Sequence, residues 1–497
     1  MSKYKIQSAF IFFTILASIF GESKEKDSIK QSFESIQTIE IKGVVYPEDQ
    51  HTYRLEPFFV PEGIGAIEID FDYTGKNEFS EMEIGLFDPN GFRGTSRFSK
   101  RSFYVSEIRA TASYFPGPII NGEWNISLGF PTIQKQSDYK IKIRLIPENH
   151  PEFTGPSEVS LNESKKWYSG DFHTHTGHSD GFGCEDMDRN RAPCQVYQVV
   201  EAAKKNGLDF LSITDHNTVS HHQDMKVIQP IFSDLLLIRG QEVTTFYGHT
   251  NVYGTSIPID FRIGYKGRTF EEIQREVEKT GAMLSINHPG RETGPSCTGC
   301  GWSAEHTNYD KLETIEIVNG TNIENDIAGI PFWHKLLNKG FKITGIGGSD
   351  DHSAGFGNSK PGIPTTVVYA NSLSEKSILE SVKKGEVYLR TRGPNGPEVL
   401  FQAILKGKTW SMGDTINLKD LKDQPLEILV QYSHSSKQQV EFIFNGEIIN
   451  LDTKDKYDND HIYTLLGELS NPSKGWLRFN LRDNKGITVV SNPIYLK

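Results

Sequence analysis

A series of short apolar runs, each ending in histidine or acidic residues, constrains the fold of this sequence more than any other feature. Eleven of its 15 histidines lie between residues 173 and 352. The apolar runs end in the following residues: His173 and His175; Asp215 and His216; Glu242; His249; His288; Asp350, Asp351 and His352. Such repeated polar endings predict one region in which many strands deliver side chains to a shared site.

Amphipathic helices are predicted between these runs. Apolar spacing predicts a helix from near Pro193 to Asn206, and capping-box patterns predict two more that start at Thr269 and Ser372. Strands alternating with helices are typical of α/β folds, in which a parallel sheet or barrel collects functional side chains at the carboxyl ends of its strands. We therefore predict βα units over residues 167–395, with the histidines and acids on one rim.

Short alternating patterns flank this region on both sides. Ile67, Ile69 and Phe71 alternate with acidic residues, apolar residues recur at every second position at Leu426, Ile428 and Val430, and turn residues separate the runs. We predict an N-terminal β-sandwich domain over residues 36–150 and a C-terminal β-sandwich domain over residues 396–497. The chain is therefore predicted to be a multidomain protein, α/β in its centre and all-β in its flanks.

The first residues have the pattern of a secretory signal peptide. Lys3 and Lys5 precede an apolar run from Ile6 to Phe20, and small and charged residues follow. We predict a signal peptide over residues 1–23, a secreted or periplasmic protein, and no transmembrane span in the mature chain. The run is short for a membrane span, which needs ~20 residues, and an uncleaved membrane anchor is the alternative.

Four cysteines leave two interpretations open. Cys184 and Cys194 flank one polar loop, and Cys297 and Cys300 lie in another. In an exported protein, these spacings predict two short-loop disulfides. A zinc site made of all four thiolates is the alternative.

Charge argues against nucleic acid as a partner. The chain has 53 Lys and Arg against 64 Asp and Glu, a formal net charge of −11. Non-specific binding to nucleic acid depends on basic side chains that neutralise phosphates, and no basic block of that size occurs.

The His-x-His pair suggests a metal site. Side chains two residues apart in an extended strand point to the same face, so His173 and His175 are placed to clamp one metal ion. Imidazole and carboxylate ligands without thiolates suit Zn, Mn or Fe. The pattern does not assign every histidine to this site, and we interpret four as structural: His221, His222, His306 and His334.

The order of these motifs resembles the PHP (polymerase and histidinol phosphatase) family of metal-dependent hydrolases. More closely, the Gly-Asp-Phe-His-Thr-His segment that begins at Gly170, together with Ser179-Asp180-Gly181 and the Gly-Gln-Glu-Val-Thr-Thr segment around Glu242, is similar to CehA/McbA-type metallohydrolases. The motifs extend from Gly170 to His352. The resemblance implies a distorted (β/α)7 barrel that holds two or three divalent metal ions.

Carried over by position, the resemblance implies three ligand groups. The first consists of His173, His175, Glu242 and Asp350; the second of Glu242, His249 and His288; the third of Asp180, His216 and His352. Many members of the family have histidine where this chain has Asp180, so the third group departs from the common pattern.

We therefore expect a secreted hydrolase that uses a metal-activated water on a small-molecule substrate. A phosphoester is the preferred bond, and a carboxyl ester or carbamate is the alternative. A different class is a non-catalytic glycan- or surface-binding protein with a degenerate barrel. Asp351, Asp215 and His178 are candidates for carrying the leaving-group proton. Arg291 is a candidate for binding an anionic substrate group, with a salt bridge at the rim as its alternative role.

Overall fold

The computed structural model describes residues 35–96, 100–148, 150, 155–294, 298–320, 329–421, 424–433, 436–457 and 461–497. The predicted signal peptide, residues 1–23, lies outside them. Within these ranges, no helix has both the length and the apolar character that crossing a membrane requires. The chain is a multidomain fold in which strands far outnumber helices.

The N-terminal region is a sandwich of two antiparallel sheets. Its strands are β1 Gln37–Val45, β2 Tyr53–Val60, β3 Ile64–Tyr73, β4 Ser80–Asp88, β5 Gly91–Ser96, β6 Ser102–Ser106, β7 Gly122–Ile133 and β8 Ser137–Pro147. One sheet has the order β1-β8-β3-β6 and the other β2-β7-β4-β5. The inward residues of both sheets form one apolar core around Trp124, as the period-two alternation of strands such as β3 requires.

The central region contains eleven strands and five helices among the described residues. Its strands are β9 Lys166–Asp171, β10 Phe182–Glu185, β11 Arg191–Pro193, β12 Phe210–Ile213, β13 Leu236–Thr245, β14 Gly248–Tyr253, β15 Met283–Ile286, β16 Thr314–Asn319, β17 Thr344–Gly348, β18 Thr365–Ala370 and β19 Val387–Arg390. Its helices are α1 Val196–Lys205, α2 His221–Ile228, α3 Phe270–Thr280, α4 Gly329–Asn338 and α5 Glu375–Lys384. Nine of these strands follow the order β17-β16-β15-β14-β13-β12-β9-β18-β19 in one sheet, while β10 and β11 pair separately.

The central sheet is mixed, whereas the sequence predicted a parallel one. Strand β12 is parallel to β9 and β13, and β16 is parallel to β15 and β17. Strand β14 is antiparallel to both its neighbours, because β13 turns directly into it at Phe246 and Tyr247 without an intervening helix. Strand β18 is antiparallel to β9. The parallel pairs still bring their carboxyl ends to a common edge.

The sheet curls so that distant strands meet at that edge. The segments that follow β9 and β17 pair in parallel at Thr174 and Asp351. The amide of His175 donates to the carbonyl of Asp351 at 2.9 Å, and the amide of Asp350 donates to the carbonyl of His173 at 2.8 Å. The predicted ligands that follow β9 and those that follow β17 are therefore joined through the backbone.

Two helix starts show where the capping patterns are reliable. Helix α3 begins as predicted: the Glu272 carboxylate accepts from the backbone amide of Thr269 at 2.9 Å, and the helix ends at Gly281 with a φ of 70°. The box predicted at Ser372 is wrong, because Ser374 caps α5 and accepts from the amide of Ser377. Glu375 has a different partner, since its carboxylate binds Arg239 at 2.6 Å.

The C-terminal region shares a sheet with the central one. Its strands are β20 Glu398–Leu405, β21 Lys408–Ser411, β22 Thr415–Ile416, β23 Leu426–Ser433, β24 Gln439–Phe444, β25 Glu447–Ile449, β26 Asp452–Tyr457, β27 Ile462–Leu469, β28 Gly475–Asp483, β29 Gly486–Ser491 and β30 Ile494–Leu496, with a short helix α6 Leu418–Leu421. Five strands form a sheet in the order β21-β20-β23-β27-β26. Strand β29 pairs with β19, so the central sheet continues through β29-β28-β24-β25 across the domain boundary predicted at residues 395 and 396.

Candidate metal centre

All nine predicted metal ligands lie together at the carboxyl edge of the central sheet. Their ligand atoms form overlapping groups in which every pair of atoms lies within 4.8 Å. The groups are His173, His175 and Asp350; His173, Glu242 and His288; and His175, Asp180, His216 and His352. His249 joins the second group through its contact with Glu242. These buried His, Glu and Asp side chains could hold metal ions.

Glu242 is at the centre of the cluster. It lies near the end of β13 and its side chain is buried. Its Oε2 atom faces Nδ1 of His216 at 2.9 Å and Nε2 of His173 at 3.4 Å. Its Oε1 atom faces Nδ1 of His249 at 3.3 Å and Nε2 of His288 at 3.6 Å. One carboxylate therefore touches imidazoles from four different segments, as a bridging ligand would.

Asp350 holds the other side of the buried cluster. Its Oδ1 atom faces Nε2 of His175 at 3.1 Å and Nε2 of His173 at 3.4 Å. The Nη1 atom of Arg291 lies 3.3 Å from its other oxygen. The two His-x-His imidazoles thus converge on one carboxylate, as the extended-strand argument predicted.

The third group lies nearest to solvent. Asp180 faces Nε2 of His352 at 3.3 Å and Nε2 of His216 at 3.6 Å, and its side chain is 60% exposed. The two imidazoles stack on His175, which is buried, with ring centroids 4.0 and 4.5 Å away. This group therefore forms the mouth of the site, and the Glu242 group forms its floor.

The backbone at the strand ends adopts uncommon conformations. His288 and Asp350 have positive φ values of 28° and 52°. Residues other than glycine rarely adopt such angles, which cluster at functional sites because the surrounding structure imposes them. A Cβ atom at Gly348 would collide with His173, so glycine is required there for β17 to approach the His-x-His pair.

The charged groups shift one another's pKa values. Burial acts to lower the pKa of His173, but the carboxylates of Asp350, Glu316 and Glu242 outweigh it and raise the pKa well above its ordinary value. Burial and the neighbouring His352 lower the pKa of His175 to about 4. The pKa of Glu242 is well below its usual range, because nearby imidazoles outweigh the effect of burial. The Glu242 carboxylate is therefore ionised at neutral pH, as a metal ligand must be.

Two observations indicate that metal ions fit these residues. Nε2 of His173 and Oε2 of Glu242 are buried and face groups of the cluster at 2.9 to 3.6 Å, but neither makes a well-directed hydrogen bond, which is costly for polar atoms unless something else binds them. Ligand atoms about 2.1 Å from a tetrahedral ion lie about 3.4 Å apart. The contacts of Glu242 and Asp350 with His173 and His175 are 3.1 to 3.6 Å long.

Hydrogen bonds outside the cluster orient its imidazoles. The Nδ1 atoms of His288 and His352 donate to the carbonyls of Cys300 and Asp350 at 2.9 and 2.8 Å. Nε2 of His249 donates to the carbonyl of Thr298 at 3.2 Å. In each ring, the other nitrogen faces the carboxylates, which is the usual arrangement of histidine ligands.

Sequence reasoning missed two polar residues beside the ligands. Oε1 of Glu316, in β16, lies 3.1 Å from Nδ1 of His173, and its Oε2 accepts from the amide of His288 at 2.9 Å. The side chain of Asn287 donates to Oε1 of Glu242 at 2.8 Å. A signal was present for Glu316, because it is a lone acid within the apolar strand Thr314–Asn319.

The three candidate proton carriers lie apart from the ligand atoms. Asp215 accepts from the amide and hydroxyl of Thr176 and from Ser179, and it lies 3.1 Å from His221. Asp351 accepts from the residues that follow it, Ser353, Gly355 and Ser359. His178 contacts Ser220 at 2.8 Å and Asp224 at 3.1 Å near the surface. The buried carboxylates of Asp215 and Asp351 therefore stabilise loops that carry candidate metal ligands.

Three of the histidines interpreted as structural have structural contacts. Nε2 atoms of His221 and His222 contact the carbonyl of Gly240 at 3.0 and 2.9 Å. Nε2 of His334 accepts from Arg478 at 3.0 Å. The fourth, His306, is exposed.

The cysteines form disulfide bonds. Cys184 is bonded to Cys194, and Cys300 is also disulfide-bonded, while Cys297 lies outside the described residues. The alternative of a four-cysteine zinc site is therefore wrong, because oxidised sulfur cannot supply thiolate ligands. For the same reason, the sulfur of Cys300, which lies close to His249 and His288, adds nothing to the metal centre.

Comparisons with known proteins give little guidance. The sequence matches no family profile. An uncharacterized protein of Methanocaldococcus jannaschii is 27% identical over 176 residues, which cover 35% of this chain and 96% of that protein. Among solved structures, the titin M3 domain aligns with 20% of this chain and 98% of its own, at 11% identity and a TM-score of 0.13. Neither description names an activity.

Proposed function

We propose that this protein is a secreted metal-dependent hydrolase of the PHP type, similar to CehA/McbA-like enzymes, and that it acts on phosphoester bonds. The observation that carries the proposal is the convergence of nine His, Asp and Glu side chains around Glu242 and Asp350. In this proposal the curled central sheet corresponds to the family's distorted (β/α)7 barrel, with β14 and β18 as antiparallel departures.

The proposed centre holds two or three divalent ions of Zn, Mn or Fe. The buried sites would be formed by His173, His175, Glu242 and Asp350, and by Glu242, His249 and His288. A third, nearer to solvent, would be formed by Asp180, His216 and His352. Bound divalent ions lower the pKa of a coordinated water towards ~7 and polarise the substrate oxygen.

The charge of the ligand set favours an anionic substrate. Its three carboxylates, Asp180, Glu242 and Asp350, carry a total charge of −3, whereas two divalent cations carry +4. The loaded centre is therefore positive, and it would attract a phosphate group more strongly than a neutral ester. Arg291 adds a positive charge beside Asp350, where its planar guanidinium is placed to bind a phosphoryl oxygen.

The chain's own residues divide the remaining tasks. Glu316 and Asn287 hold His173 and Glu242 in place. Among the predicted proton carriers, His178 is the one with a side chain that reaches solvent, 28% exposed. It is therefore the better placed of the three to exchange a proton with bulk water.

Metal analysis and assays on purified protein test the proposal. We expect at least two metal ions per chain and activity on aryl phosphates or aryl phosphodiesters. The variants His175→Ala and Asp350→Ala should lose both, whereas His306→Ala, which changes an exposed histidine, should lose neither. Fewer than two metals per chain, or full activity in Asp350→Ala, would overturn the proposal. Parallel assays with aryl carboxyl esters and carbamates identify the bond.

A further inference from the structure

A positively charged junction connects the N-terminal sandwich to the central region. The amide of Ala110 donates to the side chain of Gln223 at 3.2 Å, and that side chain donates back to the carbonyl of Ala110 at 2.6 Å. Gln223 lies on α2, and Ala110 follows β6 in the sandwich. This pair fixes the loop before Ala110 against the helix.

Two cations meet at one aromatic ring beside this contact. The guanidinium carbon of Arg109 lies 4.9 Å from the ring centre of Tyr104, and Nζ of Lys226 lies 4.7 Å from the same centre. Arg109 and Tyr104 belong to the sandwich, whereas Lys226 belongs to α2. A folded junction thus holds together two positive charges that repel each other.

Neither cation has a carboxylate partner among the described residues. Nε of Arg109 is buried and has no hydrogen-bond partner. The nearby acids are engaged elsewhere, because Glu375 binds Arg239 at 2.6 Å and Glu68 binds Arg144. The junction therefore carries an excess of positive charge that these acids leave uncompensated.

The surroundings increase the cost of that charge. Burial, followed by repulsion from Arg239, lowers the pKa of Arg109. Lys226 reaches solvent, yet the surrounding protein atoms, and then Arg109, lower its pKa to about 8. Bound negative charge would relieve both effects.

We propose that Arg109 and Lys226 form a binding site for a tetrahedral oxyanion, of the phosphate or sulfate class, at the junction of sandwich and central region. Both charged groups lie within 5 Å of one ring centre, so they are at most about 9.6 Å apart, and two N–H···O contacts of about 2.8 Å across such an anion span about 8 Å. The site lies where α2 meets the sandwich and contains none of the candidate metal ligands. It does not depend on the proposed hydrolase activity.

Calorimetric titration of the full-length protein with inorganic phosphate, sulfate and acetate tests the site. We expect Lys226→Gln to weaken phosphate and sulfate binding by about tenfold to a hundredfold, since it removes a charge-assisted hydrogen bond. The matched control is Lys408→Gln, because Lys408 also packs on an aromatic ring, 4.7 Å from Trp410. Binding at the metal centre is common to all variants and cancels in the comparison.

A charge-reversal variant gives an independent readout. Lys226→Glu supplies the missing negative charge to Arg109, so we expect its melting temperature without anion to exceed that of the wild type and no longer to rise with sulfate. A similar response to acetate would extend the site to carboxylates. Sulfate and phosphate affinities that Lys226→Gln leaves unchanged would overturn the proposal, as would a sulfate-dependent rise in melting temperature that persists in Lys226→Glu.

Discussion

At the scale of single residues, the candidate metal centre depends on polar partners as much as on the residues that could bind metal. Each of His288, His249 and His352 donates from one ring nitrogen to a backbone carbonyl, which leaves the other nitrogen for a metal. His173 differs because its outer nitrogen faces a carboxylate, that of Glu316. This carboxylate is one of the three that raise the pKa of His173 well above its ordinary value.

Replacing Glu316 tests that role. Glu316→Gln keeps the shape of the side chain and removes its charge, so we expect metal affinity to fall by about 10- to 100-fold while the number of sites is unchanged. Equilibrium dialysis with elemental analysis measures both quantities. The control is Glu278→Gln, which changes an exposed residue of α3 and should bind metal as the wild type does. Unchanged affinity in Glu316→Gln would exclude the role.

The residue scale is also where the sequence was most informative. Eight of the nine candidate ligands were predicted because each follows an apolar run, and carboxyl ends of neighbouring parallel strands lie together, whereas Asp180 was assigned only through the family resemblance. Glu316 and Asn287 could not be assigned in the same way. Glu316 lies within its strand and Asn287 is an amide beside a histidine, so only the curl of the sheet brings them to the ligands.

At the scale of elements, a disulfide positions the loop that carries Asp180. The amide of Cys194 donates to the carbonyl of Gly181 at 2.8 Å, and the amide of Gly177 donates to the carbonyl of Cys194 at 2.7 Å. Cys184 and Cys194 are both buried. The covalent bond therefore holds the 177–194 segment against the rest of the site.

Removing this disulfide should affect the third group, that of Asp180, more than the other two groups of candidate ligands. For Cys184→Ser with Cys194→Ser, we expect a loss of about 2–3 kcal/mol of unfolding free energy, because the unfolded chain regains the freedom of a ten-residue loop. Metal should be lost first from the Asp180 group, while the Glu242 group stays occupied. Chemical denaturation and elemental analysis measure these effects. Equal loss from all groups would contradict this assignment.

A half-buried histidine joins α4 to the C-terminal strand β28. Burial and the neighbouring Arg478 lower the pKa of His334 to about 3, below its ordinary value of about 6.5. The unfolded state then binds more protons between these pH values. His334 thus contributes stability that is fully present above pH ~6.5 and is lost as pH falls towards 3.

The variant His334→Gln should have a weaker dependence of stability on pH in that window. Its unfolding free energy should fall less steeply than that of the wild type between pH 6.5 and 4, as measured by urea denaturation. His51→Gln, which changes an exposed histidine, serves as the control and should follow the wild type. Parallel curves for His334→Gln and the wild type would contradict the argument.

At the scale of the whole molecule, the central and C-terminal regions are one packed body. The side chain of Asn492 donates to the carbonyl of Gly345 at 2.8 Å and accepts from its amide at the same distance. Gly345 lies in β17, which leads to Asp350. One apolar cluster also contains Trp333 and Leu336 from α4 together with Trp476 from β28.

This organisation was not predictable from local patterns. Alternating apolar residues identify strands such as β19 and β29, but pairing between them depends on contacts about 100 residues apart in sequence. Because local patterns do not reveal such long-range pairing, the change to all-β patterns near residue 396 led to the prediction of a separate module. Likewise, the sequence of β14 has the pattern of any buried strand, and only its direct turn from β13 makes it antiparallel.

Deleting residues 396–497 should therefore destabilise the central region. The deletion would expose the edge of β19 and the apolar surface of α4, so we expect low solubility and loss of bound metal. Expression of residues 35–395 beside the full-length protein, followed by sedimentation and metal analysis, measures the effect. A soluble fragment that keeps its metals would contradict it.

The pairing of β19 with β29 also bears on how such a chain can change over time. A module joined by a flexible linker can be replaced by another, but a module that completes its neighbour's sheet can be replaced only by one with a matching strand edge. Changes in β28 or β29 reach Gly345 through Asn492, and from there the strand that ends beside Asp350. Selection on the candidate metal centre is therefore expected to extend into strands that never approach it.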